Sequence, residues 1–129
     1  MYKTALIAGI LFAGLAVMIG AFGAHGLKPL LSPEDLQVFD TGVKYQFYHS
    51  FALLVAGTLY ASCPFKQVRS ASVFFIIGIL LFSGSLYAIT LLKIKGQVGL
   101  GGVGILTPIG GLCFIIGWLL LLFAVIRKK

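Results

Sequence analysis

Four long stretches of the chain carry no charged side chain: residues 4–27, 45–65, 70–92 and 96–126. A helix of about 20 apolar residues crosses a hydrocarbon core roughly 30 Å thick. A helix in lipid satisfies its own backbone hydrogen bonds, so such runs are expected to be helical. Charged residues make up only 10% of the 129 residues, which is too few to cover a soluble globule. The sequence therefore predicts a single all-α domain, an integral membrane bundle of four antiparallel transmembrane helices.

The four expected spans are residues 5–24, 45–61, 71–92 and 105–126. Short connections place neighbouring spans antiparallel, so an up-and-down bundle is expected. The first run resembles a secretory signal, but it is longer than a typical signal core. We therefore expect it to be a membrane span.

The distribution of basic residues predicts the orientation, because cytoplasmic loops carry an excess of Lys and Arg. One side of the expected bundle holds Lys3, Lys66, Arg69, Arg127, Lys128 and Lys129, and the other holds Lys28, Lys44, Lys93 and Lys95. All three acids lie on the second side. We therefore expect a multi-pass protein of the cell (inner or plasma) membrane with both termini in the cytoplasm. The net charge of +7 follows this topology and forms no basic helix face, so no nucleic-acid partner is expected.

The first external loop contains a helix signal. Ser32 offers an N-cap hydroxyl, Pro33 suits the first helical position, and Glu34 and Asp35 face the positive end of the helix. Apolar side chains then recur at helical spacing. This pattern predicts a short amphipathic helix over residues 33–44 at the outer interface, with a bend at Gly42 before the second span.

The last loop, residues 95–105, is rich in glycine. It lacks the GxxxxGK[ST] pattern, and no strand precedes it, so a phosphate-binding loop is not supported. We predict a flexible connector.

Small residues recur every three or four positions on the first span and again on the third and fourth. Close approach of helices in lipid depends on such residues, so they are expected to mark packing faces. The predicted packing positions are Gly9, Ala13, Gly20, Gly78, Gly110 and Gly117.

The two histidines are the strongest chemical signal. His25 closes the first span and His49 lies about one turn inside the second, which places both near the external face. Polar side chains within a span are costly, and they usually face the bundle interior or a wet cavity. We therefore predict a ligand-binding site near that face. Its expected contributors are His25, Tyr45, Gln46 and His49, together with Ser83, Ser85 and Tyr87 of the third span.

Each histidine has three possible roles: a structural hydrogen bond, a ligand or proton function, or a lipid-headgroup contact. Two histidines do not complete a zinc site, and no acid or thiol clearly joins them, so no metal or other cofactor is expected. All the acids lie in residues 33–44, so no Ser-His-acid arrangement is supported. We assign no catalytic residues and expect a protein that is not an enzyme.

Four ordered blocks carry a family resemblance: GAFGAHGL at 20–27, YQFYHSFALL at 45–54, LFSGSLY at 81–87 and TPIGGLCFIIGW at 107–118. They resemble the signature blocks of small bacterial inner-membrane proteins of the YgdD/YwdK type, to which eukaryotic transmembrane protein 256 is similar. The resemblance implies a four-span membrane protein and transfers no catalytic residue. Its blocks include all seven predicted site residues, along with Pro108 and Gly111.

The leading hypothesis is a non-enzymatic bundle that binds a lipid, a lipophilic small molecule or a membrane partner, either itself or another protein. A small transporter or channel subunit is one alternative, although no acid or base lies in the middle of a span. A haem- or metal-dependent redox protein that uses His25 and His49 is the other.

Overall fold

The computed structural model describes residues 1–96 and 102–128. Helix α1 (Lys3–Phe22) runs on into a first π-helical turn, Gly23–Leu27. Helix α2 (Pro33–Leu59) follows, then α3 (Lys66–Gly78), a second π-helical turn (Ile79–Ser83), α4 (Gly84–Ile94) and α5 (Val103–Arg127). Both π-helical turns lie within continuous helices, so the described residues form four helical rods and no strand. The all-α prediction is confirmed.

Contacts at both ends show that the rods are antiparallel. At the end that carries the termini, Tyr2 N–H donates to Gly57 O at 2.9 Å, and the Arg69 guanidinium lies 4.9 Å from the centre of the Tyr60 ring. At the opposite end, called the loop end below, the Lys93 ammonium donates to Asp35 and joins α4 to α2. This hydrogen bond lowers the pKa of the Asp35 carboxyl.

Three of the described helices are long and apolar enough to cross a membrane: Lys3–Leu27, Lys66–Ile94 and Val103–Arg127. Their outward faces are apolar, with large exposed side chains such as Ile10 and Met18 on α1 and Leu119 and Phe123 on α5. An apolar exterior over a core that buries serine, glutamine and histidine suits lipid as the surrounding solvent.

Of the four rods, α2 is the one that does not meet the length and hydropathy expected of a membrane span. It contains the three acids in its first turns and buries the polar residues Gln46, His49 and Ser50. It packs along α1 on one side and against α3, the second π-helical turn and α4 on the other. A membrane crossing by its residues 45–61 therefore stays a prediction.

The structure differs from the expected short amphipathic helix between the first two spans. Residues 33–44 form the first turns of α2 and continue without a break into residues 45–59. Ser32 and Pro33 do start a helix, and the Ser32 hydroxyl accepts a hydrogen bond from Asp35 N–H at 3.2 Å. Gly42 is buried, and a Cβ atom there would meet the Tyr87 ring at 2.8 Å. Close packing, not a bend, explains the absence of a side chain at this position.

The predicted packing residues lie at close helix approaches, apart from Ala13, which is half-buried. A Cβ atom on Gly9 would meet Ser50 O at 2.8 Å, and one on Gly20 would meet Val43 at 3.1 Å. The other three glycines lie between α3, the second π-helical turn and α5. Gly78 faces Phe114, Gly110 faces the backbone of Phe82, and Gly117 faces Phe75. The predicted flexible connector falls largely on residues 97–101, outside the described part of the chain.

Candidate functional site

A groove of about 590 Å³ separates α2 from α5. Helix α5 packs closely against α3, the second π-helical turn and α4, whereas close backbone packing against α2 is lacking in the described residues. Tyr45 and His49 line the groove from α2, and Pro108, Gly111, Phe114 and Trp118 are among the residues that line it from α5. Its walls are mostly apolar, and the residues Tyr45 and Trp118 are 39% and 47% exposed.

His49 closes the inner side of this groove. Its ring stacks on Phe114 with 3.5 Å between ring centres and 8° between planes. Trp118 Nε1 donates to His49 Nε2 at 3.1 Å, and an indole nitrogen can only donate. His49 Nδ1 lies 2.8 Å from Tyr45 O, a carbonyl that can only accept. The two bonds require the neutral imidazole with its proton on Nδ1, so neither ring nitrogen has a lone pair left for a metal.

We expect His49→Phe to destabilise the folded protein by about 1 kcal/mol. Phenylalanine keeps the stack on Phe114, but it leaves the Trp118 N–H without its acceptor. The measurement is unfolding in mixed micelles, followed by the emission of Trp118, the chain's single tryptophan. The emission maximum should move to shorter wavelength because the indole loses a polar partner. An unchanged spectrum and stability would contradict the Trp118–His49 bond.

Gln46 joins three helices. Its side-chain amide donates to Phe12 O on α1 at 2.9 Å, and its side-chain oxygen accepts from the Tyr87 hydroxyl on α4 at 2.8 Å. Gln46 is only 3% exposed, so both ends of its amide need these partners. Its geometry is that of a buried connector between rods.

Two serines form further connections between the rods. Ser83, the last residue of the second π-helical turn, donates to Gly42 O of α2 at 2.6 Å. The Ser85 hydroxyl lies 2.8 Å from Phe82 O and 2.6 Å from the Thr107 hydroxyl of α5. Both hydroxyls are buried and fully engaged within the bundle.

The structure thus divides the seven predicted site residues into three groups. Gln46, Ser83, Ser85 and Tyr87 hold the rods together through hydrogen bonds. Tyr45 and His49 line the groove. His25 lies on the exposed surface of the first π-helical turn and lines neither this groove nor a contact with His49.

Two aromatic residues of the site were not predicted from the sequence. Trp118 and Phe114 complete the surroundings of His49, and they lie four residues apart on one face of α5. That spacing is the available signal, but an aromatic pair in a span is typical of ordinary packing or of the membrane interface. Within residues 1–96 and 102–128, no group of three or more His, Cys, Asp or Glu side chains is placed to hold a metal ion.

Comparison with known proteins gives one family. A family model described as "Protein of unknown function (DUF423)" matches residues 19–111. The UPF0382 membrane protein of Staphylococcus aureus (strain bovine RF122 / ET3-1) is 42% identical over 97% of each chain. The UPF0382 membrane protein YwdK of Bacillus subtilis (strain 168) is 39% identical over 97% of this chain and 98% of its own. A UPF0382 membrane protein of Haemophilus influenzae is 42% identical over 88% and 86%.

No solved structure matches the chain. The predicted resemblance to the YwdK group is confirmed. The link to eukaryotic transmembrane protein 256 stays a prediction.

Proposed function

The chain belongs to the DUF423 family of membrane proteins, and we propose that it is a non-enzymatic, multi-pass protein of the cell membrane that binds the hydrocarbon chain of a lipid in the α2–α5 groove. The observation that carries the proposal is the groove itself. It has the volume of a small-molecule site and mostly apolar walls. It also opens sideways between helices whose outer faces are apolar.

The position of the groove favours a lipid chain over a water-borne ligand. Leu112 and Ile115 of α5 line the groove and are exposed, and the exposed Tyr48 of α2 packs against Tyr45, which also lines it. Surfaces of this kind face hydrocarbon in a membrane, so the phase in contact with the groove is made of lipid chains. A chain that lies along α5 from Pro108 towards Trp118 gains apolar contact without desolvating a charge.

The polar groups of the site support a binding role over metal or redox chemistry. His49 uses both ring nitrogens inside the protein, and the exposed His25 lies elsewhere. The hydroxyls of Ser83 and Ser85 are likewise engaged. All the acids belong to the first turns of α2, so no acid in the middle of a helix is available for ion coupling.

We further propose that both termini face the cytoplasm. In the sequence, six basic residues belong to the two terminal segments and the middle loop, against four in the other two loops and their flanks, which also carry the three acids. The part of the groove that contains Pro108 and Tyr45 then lies in the outer half of the bilayer, because these residues are in the loop-end halves of their helices.

Filling the groove tests lipid binding. We expect Gly111→Leu to weaken binding of a lipid chain about ten-fold, on the estimate that the leucine side chain displaces about two methylene groups of the bound chain, each worth about 0.8 kcal/mol. Trp118 is the chain's single tryptophan and lines the groove, so a phospholipid with brominated chains will quench its emission on binding. The measurement is titration of this lipid into detergent-solubilised full-length protein.

The matched control is Gly14→Leu. A Cβ atom on Gly14 meets nothing within 4 Å, and this position lies on the exposed face of α1. The unaltered protein and the control should show saturable quenching, whereas Gly111→Leu should show only a shallow, unsaturated response. Equal quenching curves for the two leucine variants would exclude the groove as a chain-binding site.

A further inference from the structure

A second cavity, of about 310 Å³, lies on the opposite face of α2. It opens between the end of α1 and the first turns of α2, near the loop end. Its α2 side chains, such as Leu36 and Val43, point away from the face that carries Tyr45 and His49, as the helical repeat requires.

Two glycines line this cavity opposite α2: Gly20 near the end of α1 and Gly23 at the start of the first π-helical turn. A Cβ atom on Gly23 would meet the Phe39 ring at 2.6 Å, so this apolar ring packs directly on the glycine backbone. The first π-helical turn begins at Gly23, so the chain carries Lys28 to the rim of the same space. The result is an apolar floor at the depth where a membrane helix ends and lipid headgroups begin.

Two charges of opposite sign line the rim. In the described part of the chain, no acidic side chain lies within 4 Å of the Lys28 ammonium. The Asp40 carboxylate is held by Lys44 at 2.8 Å, and both side chains are more than half exposed. Exposed ion pairs of this kind are weak and exchange readily with other partners. The hydrogen bond to Asp40 raises the pKa of Lys44 above its ordinary value.

We infer that this cavity binds the headgroup of a zwitterionic phospholipid with a primary ammonium, of the phosphatidylethanolamine type. The Lys28 ammonium donates to the lipid phosphate, and the Asp40 carboxylate accepts from the lipid ammonium. The apolar floor covers the glycerol and the first methylenes. The site is separate from the α2–α5 groove, and the inference does not rest on the proposed function.

The chemistry of the rim discriminates among headgroups. A choline headgroup carries a similar positive charge but no N–H donor, so it cannot form the hydrogen bond to Asp40. A glycerol headgroup carries hydroxyls but no ammonium, so it can offer Asp40 only a neutral hydrogen bond, which is weaker than one from a cation. Ethanolamine is the headgroup of the three that satisfies both rim residues.

The test is native mass spectrometry of the full-length protein released from nanodiscs. The nanodiscs contain equal amounts of phosphatidylethanolamine, phosphatidylcholine and phosphatidylglycerol with identical chains. We expect the unaltered protein to retain the ethanolamine lipid preferentially. Asp40→Asn should reduce the ratio of retained ethanolamine lipid to choline lipid about five-fold, because the neutral amide oxygen of asparagine accepts a weaker hydrogen bond from the lipid ammonium than the carboxylate does. Lys28→Gln should reduce both lipids together, because they share the phosphate.

Two control substitutions match these changes in charge. Glu34→Gln removes an exposed acid and Lys95→Gln an exposed base at the same end of the bundle, and neither residue lines the cavity. Both controls should behave as the unaltered protein. All four positions are exposed, so the fold does not depend on them.

The inference is overturned if the unaltered protein retains the three lipids equally or prefers the glycerol lipid. It is also overturned if Asp40→Asn gives the same ratio as Glu34→Gln. Gly111→Leu should leave the ratio unchanged, which separates a failure at this cavity from a failure at the groove.

Discussion

Replacing Gly110 with alanine should destabilise the folded protein by about 3 kcal/mol, the upper range for an overpacked site. Gly110 is buried where α5 crosses the second π-helical turn. A Cβ atom there would overlap the Phe82 backbone, with its distance to Phe82 Cα only 2.8 Å. Backbone atoms cannot rotate away as a side chain does, so the two rods must separate. The measurement is the unfolding midpoint in mixed micelles.

The neighbouring residue provides the matched control. A Cβ atom on Gly111 would lie 3.8 Å from the Phe82 ring, an ordinary contact distance. Gly111→Ala should therefore keep the stability of the unaltered protein or raise it by up to about 1 kcal/mol, since alanine favours the helix. Equal stabilities for the two alanine variants would contradict the close approach of α5 to the second π-helical turn.

Gln46→Leu should destabilise the protein by about 2 kcal/mol. Leucine has a similar volume, so the loss comes from the two hydrogen bonds that join α2 to Phe12 and Tyr87. The Tyr87 hydroxyl then lies in an apolar bundle without its acceptor, which is the costly outcome for a polar group. Unfolding in mixed micelles measures the change.

A double-mutant cycle assigns this loss to the bond. Tyr87→Phe removes the hydroxyl but keeps the ring, whose centre lies 5.1 Å from that of Phe39. Because either single variant already breaks the Gln46–Tyr87 bond, the double variant should be more stable than the sum of the two losses predicts, by about 1 kcal/mol. Strict additivity would show that the two residues do not interact.

The extent of α2 illustrates where sequence patterns mislead. The helix signal at Ser32 and Pro33 is local chemistry, and it forms as predicted. The expected break at Gly42 does not form, because glycine is both a flexible residue and the smallest one, and sequence alone does not tell which property is used. The contact with Tyr87 decides it.

In the predicted site, too, a local property was predictable from the sequence and the contacts between rods were not. Gln46 and His49 are buried, as expected for polar residues within an apolar run, since lipid penalises their exposure, whereas His25 is exposed. Their partners lie far along the chain: Phe12 and Tyr87 for Gln46, and Trp118 for His49. A pairing between rods depends on how each rod is rotated about its axis, which no local pattern records.

The sequence by itself determined the class of this protein. Runs without charge require helices in a membrane because unpaired backbone groups and charges are too costly in lipid. The tertiary structure decided the rest: the two π-helical turns, the division of polar residues between hydrogen bonds and the groove, and the two cavities on opposite faces of α2. The physical reason is that the composition of each segment decides by itself whether that segment can lie in lipid. A cavity, by contrast, is the space that several packed segments together leave unfilled.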